Sequence, residues 1–262
     1  MANAYNPFTS PPHSVTVQGA YEPFDLQVSR GQIMGHQTLS LFGYQAAVGN
    51  TSIPVWENAT AYTYPTSAST MTVVSTSTSD DTSAKILISG LDANFAPISE
   101  TIALNGTTGV TTVNSYFRIN SLLMTSPGTS QTTNVGTITI KQSSNILAQI
   151  NAGIGKSQST VYTVPAGYTF YLDFAEVNTS NSYTSANIVT YKVQAINNNT
   201  GIKLTVLQQP FVSIYTANRT SDPFAYTEKT DIQWQLVTST ATTVAAGVII
   251  AGKLIKNDCQ SA

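Results

Sequence analysis

Strict alternation of apolar and polar positions dominates the second half of the chain. Phe170, Leu172 and Phe174 alternate with Tyr171 and Asp173, and Val189, Tyr191, Val193 and Ala195 alternate with Thr190, Lys192 and Gln194. Ile232, Trp234 and Leu236 alternate in turn with Asp231, Gln233 and Gln235. Successive side chains of a strand point to opposite faces, so a period of two predicts antiparallel strands with one buried face and one polar face. The apolar run from Val244 to Ile255 predicts a long closing strand.

The first half carries shorter runs of the same kind. Met71 to Ser75, Lys85 to Ser89, Ile98 to Leu104, Tyr116 to Met124 and Gly136 to Gln142 are predicted strands. They are separated by Ser79-Asp-Asp-Thr, Gly90-Leu-Asp-Ala-Asn, Asn105-Gly-Thr-Thr-Gly and Ser126-Pro-Gly-Thr, clusters of residues that tolerate turn conformations. Asn105-Gly106 predicts a hairpin, because a type I′ turn needs φ > 0 at both central residues. Evenly spaced short strands with such turns indicate a sandwich or barrel. The fold class is therefore all-β, with two tandem antiparallel, jelly-roll-like sandwiches over residues 15–150 and 151–262. Asn151-Ala-Gly-Ile-Gly-Lys reads as the hinge, although Ile146, Leu147 and Ile150 could instead form a strand carrying the chain across. Residues 1–14, with Pro7, Pro11 and Pro12, read as an extended arm whose Tyr5 and Phe8 would anchor it on a partner.

Composition sharpens the picture. Of 262 residues, 41% are hydrophobic and only 9% charged, with 11 Lys and Arg against 13 Asp and Glu. That charge content is far below the usual quarter, and the stock of helix-surface residues is missing. The basic residues are scattered singly, whereas nucleic-acid grooves and anionic membranes need clustered Lys and Arg. Neither partner is expected. The start of the chain lacks a basic region followed by an apolar run, so no secretory leader is expected, and no apolar stretch approaches the roughly 20 residues of a membrane helix. The single Cys259 allows no intramolecular disulfide.

Catalytic constellations are scarce. His13 lies in the arm and His36 in a Gly35-His36 turn, which is too few His and Cys for a zinc site and leaves no oriented base for a serine nucleophile. Asp80-Asp81, Asp92 and Asp222 sit in turn sequences and read as solvated or turn-forming acids. Asp92 and Asn94 begin like a calcium loop but lack its Gly and terminal Glu. Asp173 and Glu176, the remaining carboxylates for a glycosidase, fall on opposite faces of a straight strand. Gly153, Gly155 and Lys156 lack the phosphate-loop spacing. No cofactor and no metal is expected. Trp56, Tyr62 and Tyr64, near Pro54 and Pro65, either stack on a sugar or partner, or cover one end of the first sandwich. Faces built from Ser, Thr, Asn and Gln can be covered by symmetric copies without opposing like charges, which suits a homo-oligomer, a trimer for example.

The block Leu91-Asp-Ala-Asn-Phe-Ala-Pro-Ile-Ser-Glu-Thr-Ile-Ala-Leu-Asn-Gly-Thr-Thr, followed by Tyr116-Phe-Arg-Ile-Asn, resembles a segment of structural proteins of tailed bacteriophages, notably those of aquatic bacteria. Tyr162-Thr-Val-Pro-Ala-Gly-Tyr-Thr and Thr230-Asp-Ile-Gln-Trp-Gln-Leu-Val-Thr-Ser-Thr are similar to their C-terminal part, so that the resemblance spans most of residues 28 to 256. It implies a virion component made in the host bacterial cytoplasm, decorating or cementing the capsid or sitting at the neck or tail, with other virion proteins as partners. It transfers no functional residue. The alternative expectation is a carbohydrate-binding receptor module presenting Trp56, Tyr62 and Tyr64 to a glycan.

Overall fold

A computed structural model of the chain describes residues 22–181, 186–218 and 222–259. The predicted anchors Tyr5 and Phe8 and the residue His13 lie outside the described residues. The first element is a short helix, α1 (Phe24–Ser29), followed by β1 (His36–Val48), β2 (Ile53–Pro54), β3 (Thr72–Ser75), β4 (Lys85–Leu91) and β5 (Pro97–Ala103). Next come β6 (Val110–Thr111), β7 (Arg118–Ser126), β8 (Ile138–Gln142), β9 (Asn145–Ile150), β10 (Tyr162–Thr163) and β11 (Tyr168–Thr179). The chain continues through β12 (Val189–Asn197), β13 (Lys203–Phe211), β14 (Ile214–Asn218), β15 (Phe224–Tyr226), β16 (Thr230–Thr238) and β17 (Val244–Lys256). The fold is all-β, and among the described residues no helix is long and apolar enough to cross a membrane.

Two sheets share one apolar cluster. The first has the order β1-β17-β11-β14, with β15 also on β11, and the second has the order β10-β16-β12-β13, with β2 on β16. Phe170, Leu172, Ala175 and Val177 of β11 and Val248 and Ile250 of β17 meet Val189, Tyr191 and Val193 of β12 and Ile232, Trp234 and Leu236 of β16. These are the alternating positions read from the sequence, with one exception. The β11–β17 register slips between Leu172 and Phe174. A bulge places two residues of one strand opposite one of the other, so Ala175 takes the inward position and Phe174 pairs with Ala251 on the other side.

Val48 and Val55 belong to this same cluster. β1 pairs with β17 along nearly its whole length, from His36↔Ile255 to Val48↔Val244. This departs from the expected division at residue 150. Residues 36–55 pack with the C-terminal half because the ladder to β17 and the burial of Val48 and Val55 outweigh sequence proximity. His36 correspondingly opens a strand, where a solvated turn is predicted.

A second cluster is made by the intervening residues alone, from Trp56 to Val161. It is shared by the sheets β6-β3-β8-β9 and β5-β4-β7. Ile86 and Ile88 of β4, Leu122 of β7, and Ile138 and Ile140 of β8 are fully buried in it. Ile146, Leu147 and Ile150 lie in β9, which pairs with β8 inside this unit: a strand forms there, but neither it nor residues 151–156 carries the chain across, which happens between Val161 of this cluster and Tyr162 of the other. The chain enters and leaves this unit side by side: Thr160 N–H donates to Val55 O at 3.0 Å, and Trp56 bridges to Ser159.

Asn105-Gly106 does not close a hairpin. It joins β5 to β6, which lie in different sheets, and Gly106 alone takes positive φ, +58°. Gly106 N–H donates to Asp80 O, and a Cβ there would stand 3.0 Å from Thr78 Cα. Close backbone approach, rather than a two-residue turn, is what requires glycine here.

Candidate functional site

The seam between the two cores carries the densest polar chemistry. Arg118 opens β7 on the second unit and Asp231 lies at the start of β16 on the first. Both are buried, 3% and 2% exposed. Arg118 Nε donates to Asp231 Oδ1 and Nη2 to Oδ2, each at 2.9 Å. This is the two-pronged geometry that the planar guanidinium permits. Arg118 Nη1 donates to the carbonyls of Pro65 and Phe117. Its guanidinium also lies 4.1 Å from the Phe117 ring centre and 4.8 Å from that of Tyr64, within cation–π range. Asp231 accepts two further bonds, from Thr163 Oγ1 at 2.6 Å and from Asn198 Nδ2 at 2.9 Å. With those partners in place the charges are compensated, and the pair acts as a lock between the cores rather than as an exposed acid.

Trp56 and Tyr62 do not form a surface platform. Trp56 is 1% exposed and Tyr62 9%. The Trp56 indole N–H donates to Thr60 O at 2.9 Å, and its ring meets Tyr62 edge-on at 5.1 Å. Tyr62 in turn meets Tyr64 at 5.0 Å. Burial pushes the hydroxyls of both tyrosines well above their ordinary range. The three rings therefore cover one end of the second core, which favours the covering alternative over stacking on a sugar. Pro54 and Pro65 hold an extended entry path that the sequence alone reads equally well as an exposed loop.

Beside the lock runs a groove of about 210 Å³ lined by Ser52, Tyr62, Tyr64, Gln194, Gln233 and Gln235, among others. Its amides bind one another: Gln235 Nε2 donates to Gln194 Oε1 at 3.1 Å and to Gln233 Oε1 at 2.8 Å, while Ser52 Oγ donates to Gln235 Oε1. Outward positions of β12 and β16 supply them, which is why they alternate with core residues in the sequence.

The other singled-out acids separate cleanly. Asp80 is fully buried, not solvated: its carboxylate accepts from Ser75 Oγ and from the N–H groups of Val135 and Gly136, pinning the β8 entry. Its neighbour Asp81 is half-buried, and hydrogen bonds from Thr129 and Ser83 hold its carboxyl below the usual range. Asp92 is a turn former, accepting from Asn94 N–H at 2.8 Å and Ala96 N–H at 2.9 Å. Asp173 sits in the bulge and is paired with Lys253, while Glu176 accepts from Asn178. Among the described residues no three His, Cys, Asp or Glu side chains gather closely enough to hold a metal ion.

Glu57 is the acid whose setting has a measurable pH consequence. Desolvation raises its pKa to about 6, against the opposing pull of hydrogen bonds from the N–H groups of Asn151 and Gln158. A folded-state pKa above the unfolded 4.5 means that the folded chain binds more protons in that interval. This contribution favours the fold at low pH and is lost as pH rises through about 6. Wild type minus Glu57→Gln, followed by thermal unfolding between pH 4.5 and 7, should therefore decline with rising pH. A flat difference would show that the carboxyl is solvated.

The chain matches no known protein family, and no curated protein matches it. Among solved structures, it is similar at a TM-score of 0.12 and 11% identity to T=1 particles derived from infectious bursal virus, over 85% of this chain and 79% of that one. The infectious bursal disease virus VP2 subviral particle gives 0.12 and 11% over 87% and 83%. Likeness of that degree carries no argument for a shared fold or function.

Proposed function

We propose that this chain is a non-enzymatic structural subunit of a tailed-phage particle, assembling as a homo-oligomer that decorates the capsid or sits at the neck or tail. In this reading each pair of sheets is an antiparallel, jelly-roll-like sandwich, with the unit from Trp56 to Val161 inserted into the other. The observation that carries it is the outer face of the sheet β1-β17-β11-β14. Phe42, Tyr44, Ile249 and Ile214 are 37–44% exposed there. Phe42 lies opposite Ile249, and Tyr44 opposite Gly247. Glu176, opposite Ile249 on β11, is the charge among them. Phe42, Tyr44 and Ile249 form an exposed apolar patch that Glu176 and Asn178 of β11 separate from Ile214; such a patch marks a protein contact, with Glu176 at its edge as the charge that a meeting copy must pair or leave solvated. The resemblance to phage structural proteins supplies the setting.

Light scattering on the purified chain should give a fixed multiple of the single-chain mass. Quantitative mass spectrometry of purified particles should find it in constant ratio to the shell protein. A monomer at micromolar concentration, or absence from particles, would sink this reading.

A further inference from the structure

Among the described residues β1 is the longest strand at a sheet edge, 13 residues paired on one side to β17. Main-chain groups of successive strand residues point alternately to the two neighbouring positions, so half of those in β1 point away from β17. From Gln37 to Ala46 these outward groups have no hydrogen-bond partner among the described residues. An open edge of this kind is a template for a further strand, and natural sheets protect such edges with charges or proline. Two other edges follow that rule: β13 carries Lys203 and Pro210, and β5 carries Pro97 and Glu100. β1 contains no Asp, Glu, Lys, Arg or Pro.

The side chains of β1 fit a strand of the same sequence. Thr38, Ser40, Phe42 and Tyr44 stand exposed on the outer face, while Leu39 and Leu41 are half-buried against the core. Residues directly opposite in an antiparallel pair share a face. Two copies of β1 related by a two-fold axis at Ser40 therefore set Thr38 against Phe42 and Leu39 against Leu41, and no like charges meet. The charges of the outer face lie behind the edge. Lys253, on β17 opposite Thr38, is paired with Asp173 and with Asp25 of α1. Glu176, on β11, stands two strands in, about 10 Å from β1. A contact at the edge extends the Phe42–Ile249 patch on the side away from Glu176 and leaves that carboxylate solvated.

We propose that β1 of one copy pairs antiparallel with β1 of a second copy, joining the two outer sheets into one continuous sheet across a two-fold axis. This rests on the homo-oligomer reading above and names the surface and the geometry of its contact. Main-chain hydrogen bonds supply the attraction, and the alternation of exposed and half-buried side chains fixes the register.

The test uses the full-length chain with Cys259→Ser and a nitroxide spin label attached at Ser40→Cys. Ser40 and its equivalent in the copy would lie within about 10 Å at the backbone, so the expected result is strong dipolar coupling between labels. A label at Ile214→Cys, on β14 at the far edge of the sheet, would stand more than about 30 Å from its equivalent and should couple weakly. Light scattering on the same samples, labelled and unlabelled, separates the outcomes. A Ser40-labelled chain that falls to the single-chain mass while the unlabelled chain stays assembled would also put Ser40 in the contact. An oligomer whose Ser40 labels are uncoupled, or whose Ile214 labels couple more strongly, overturns the edge pairing alone. That is the result expected if residues 1–21 fill the edge or another face makes the contact. A monomer in the unlabelled chain overturns the homo-oligomer reading with it.

Discussion

Replacing Asp231 with Ala should cost about 3–5 kcal/mol of stability, the range for removing one partner of a buried ion pair. The reason is asymmetric. The variant loses two guanidinium bonds, but it also leaves Arg118 charged at 3% exposure with no carboxylate within reach. Thr163 and Asn198 lose their acceptor as well. At about 2–4 °C per kcal/mol for a chain of this size, the unfolding midpoint should fall by about 6–20 °C. The paired change Arg118→Met with Asp231→Leu should recover most of that, because it removes both charges and the desolvation they demand. Denaturant titration of Arg118→Met, Asp231→Leu and the double variant closes the cycle. A loss below about 1 kcal/mol for Asp231→Ala, the range of exposed pairs, would mean that water reaches the seam.

Trp56→Ala should be comparably damaging, about 3–5 kcal/mol for a buried Trp or Phe cut to Ala. The indole is 1% exposed, holds Thr60 O and braces Tyr62. It sits where the chain enters the second core, beside the Thr160–Val55 hydrogen bond. Trp56→Phe should restore part of the loss by refilling volume without the N–H. The comparison bears on the carbohydrate alternative. If the aromatic cluster is structural, stability falls and glycan-array signals do not change selectively. A stable, folded Trp56→Ala protein that loses a glycan signal would instead put the indole at a binding surface.

The strands were legible because half-buried antiparallel sheet writes its geometry into the sequence at period two. Ile232, Trp234 and Leu236 point inward as the alternation requires. The exception is instructive: Phe174 continues the pattern on paper, but the bulge at Asp173 shifts the phase and gives its place to Ala175. Bulges arise from pairing with a particular partner strand, and alternation within one strand carries no trace of that partner. The same limit explains β1. Its residues, His36–Val48, contain apolar side chains at both parities, and only the ladder to β17 assigns them to a core more than 100 residues away. Arg118 and Asp231 were visible as charges inside apolar strands, in Tyr116-Phe-Arg-Ile-Asn and Thr230-Asp-Ile-Gln-Trp. A lone charge in such a run signals a buried partner, but 113 positions separate the two. Asp80 escapes sequence reading for the opposite reason, since a turn sequence says nothing about whether the entry to β8 will fold over it.

The first and last strands of the described chain lie side by side and antiparallel, with His36 opposite Ile255. Traction applied between the two ends of the chain would therefore load the β1–β17 ladder across its hydrogen bonds, opening it pair by pair from His36–Ile255 like a zip. A ladder sheared along its length would instead have to break many bonds at once. Mechanical yield would begin at that outer margin, at low force, while the inserted unit lies outside the direct load path between the ends. A particle component tethered through its N-terminal segment alone would escape this peeling, because the pull would then pass through the arm and not between β1 and β17.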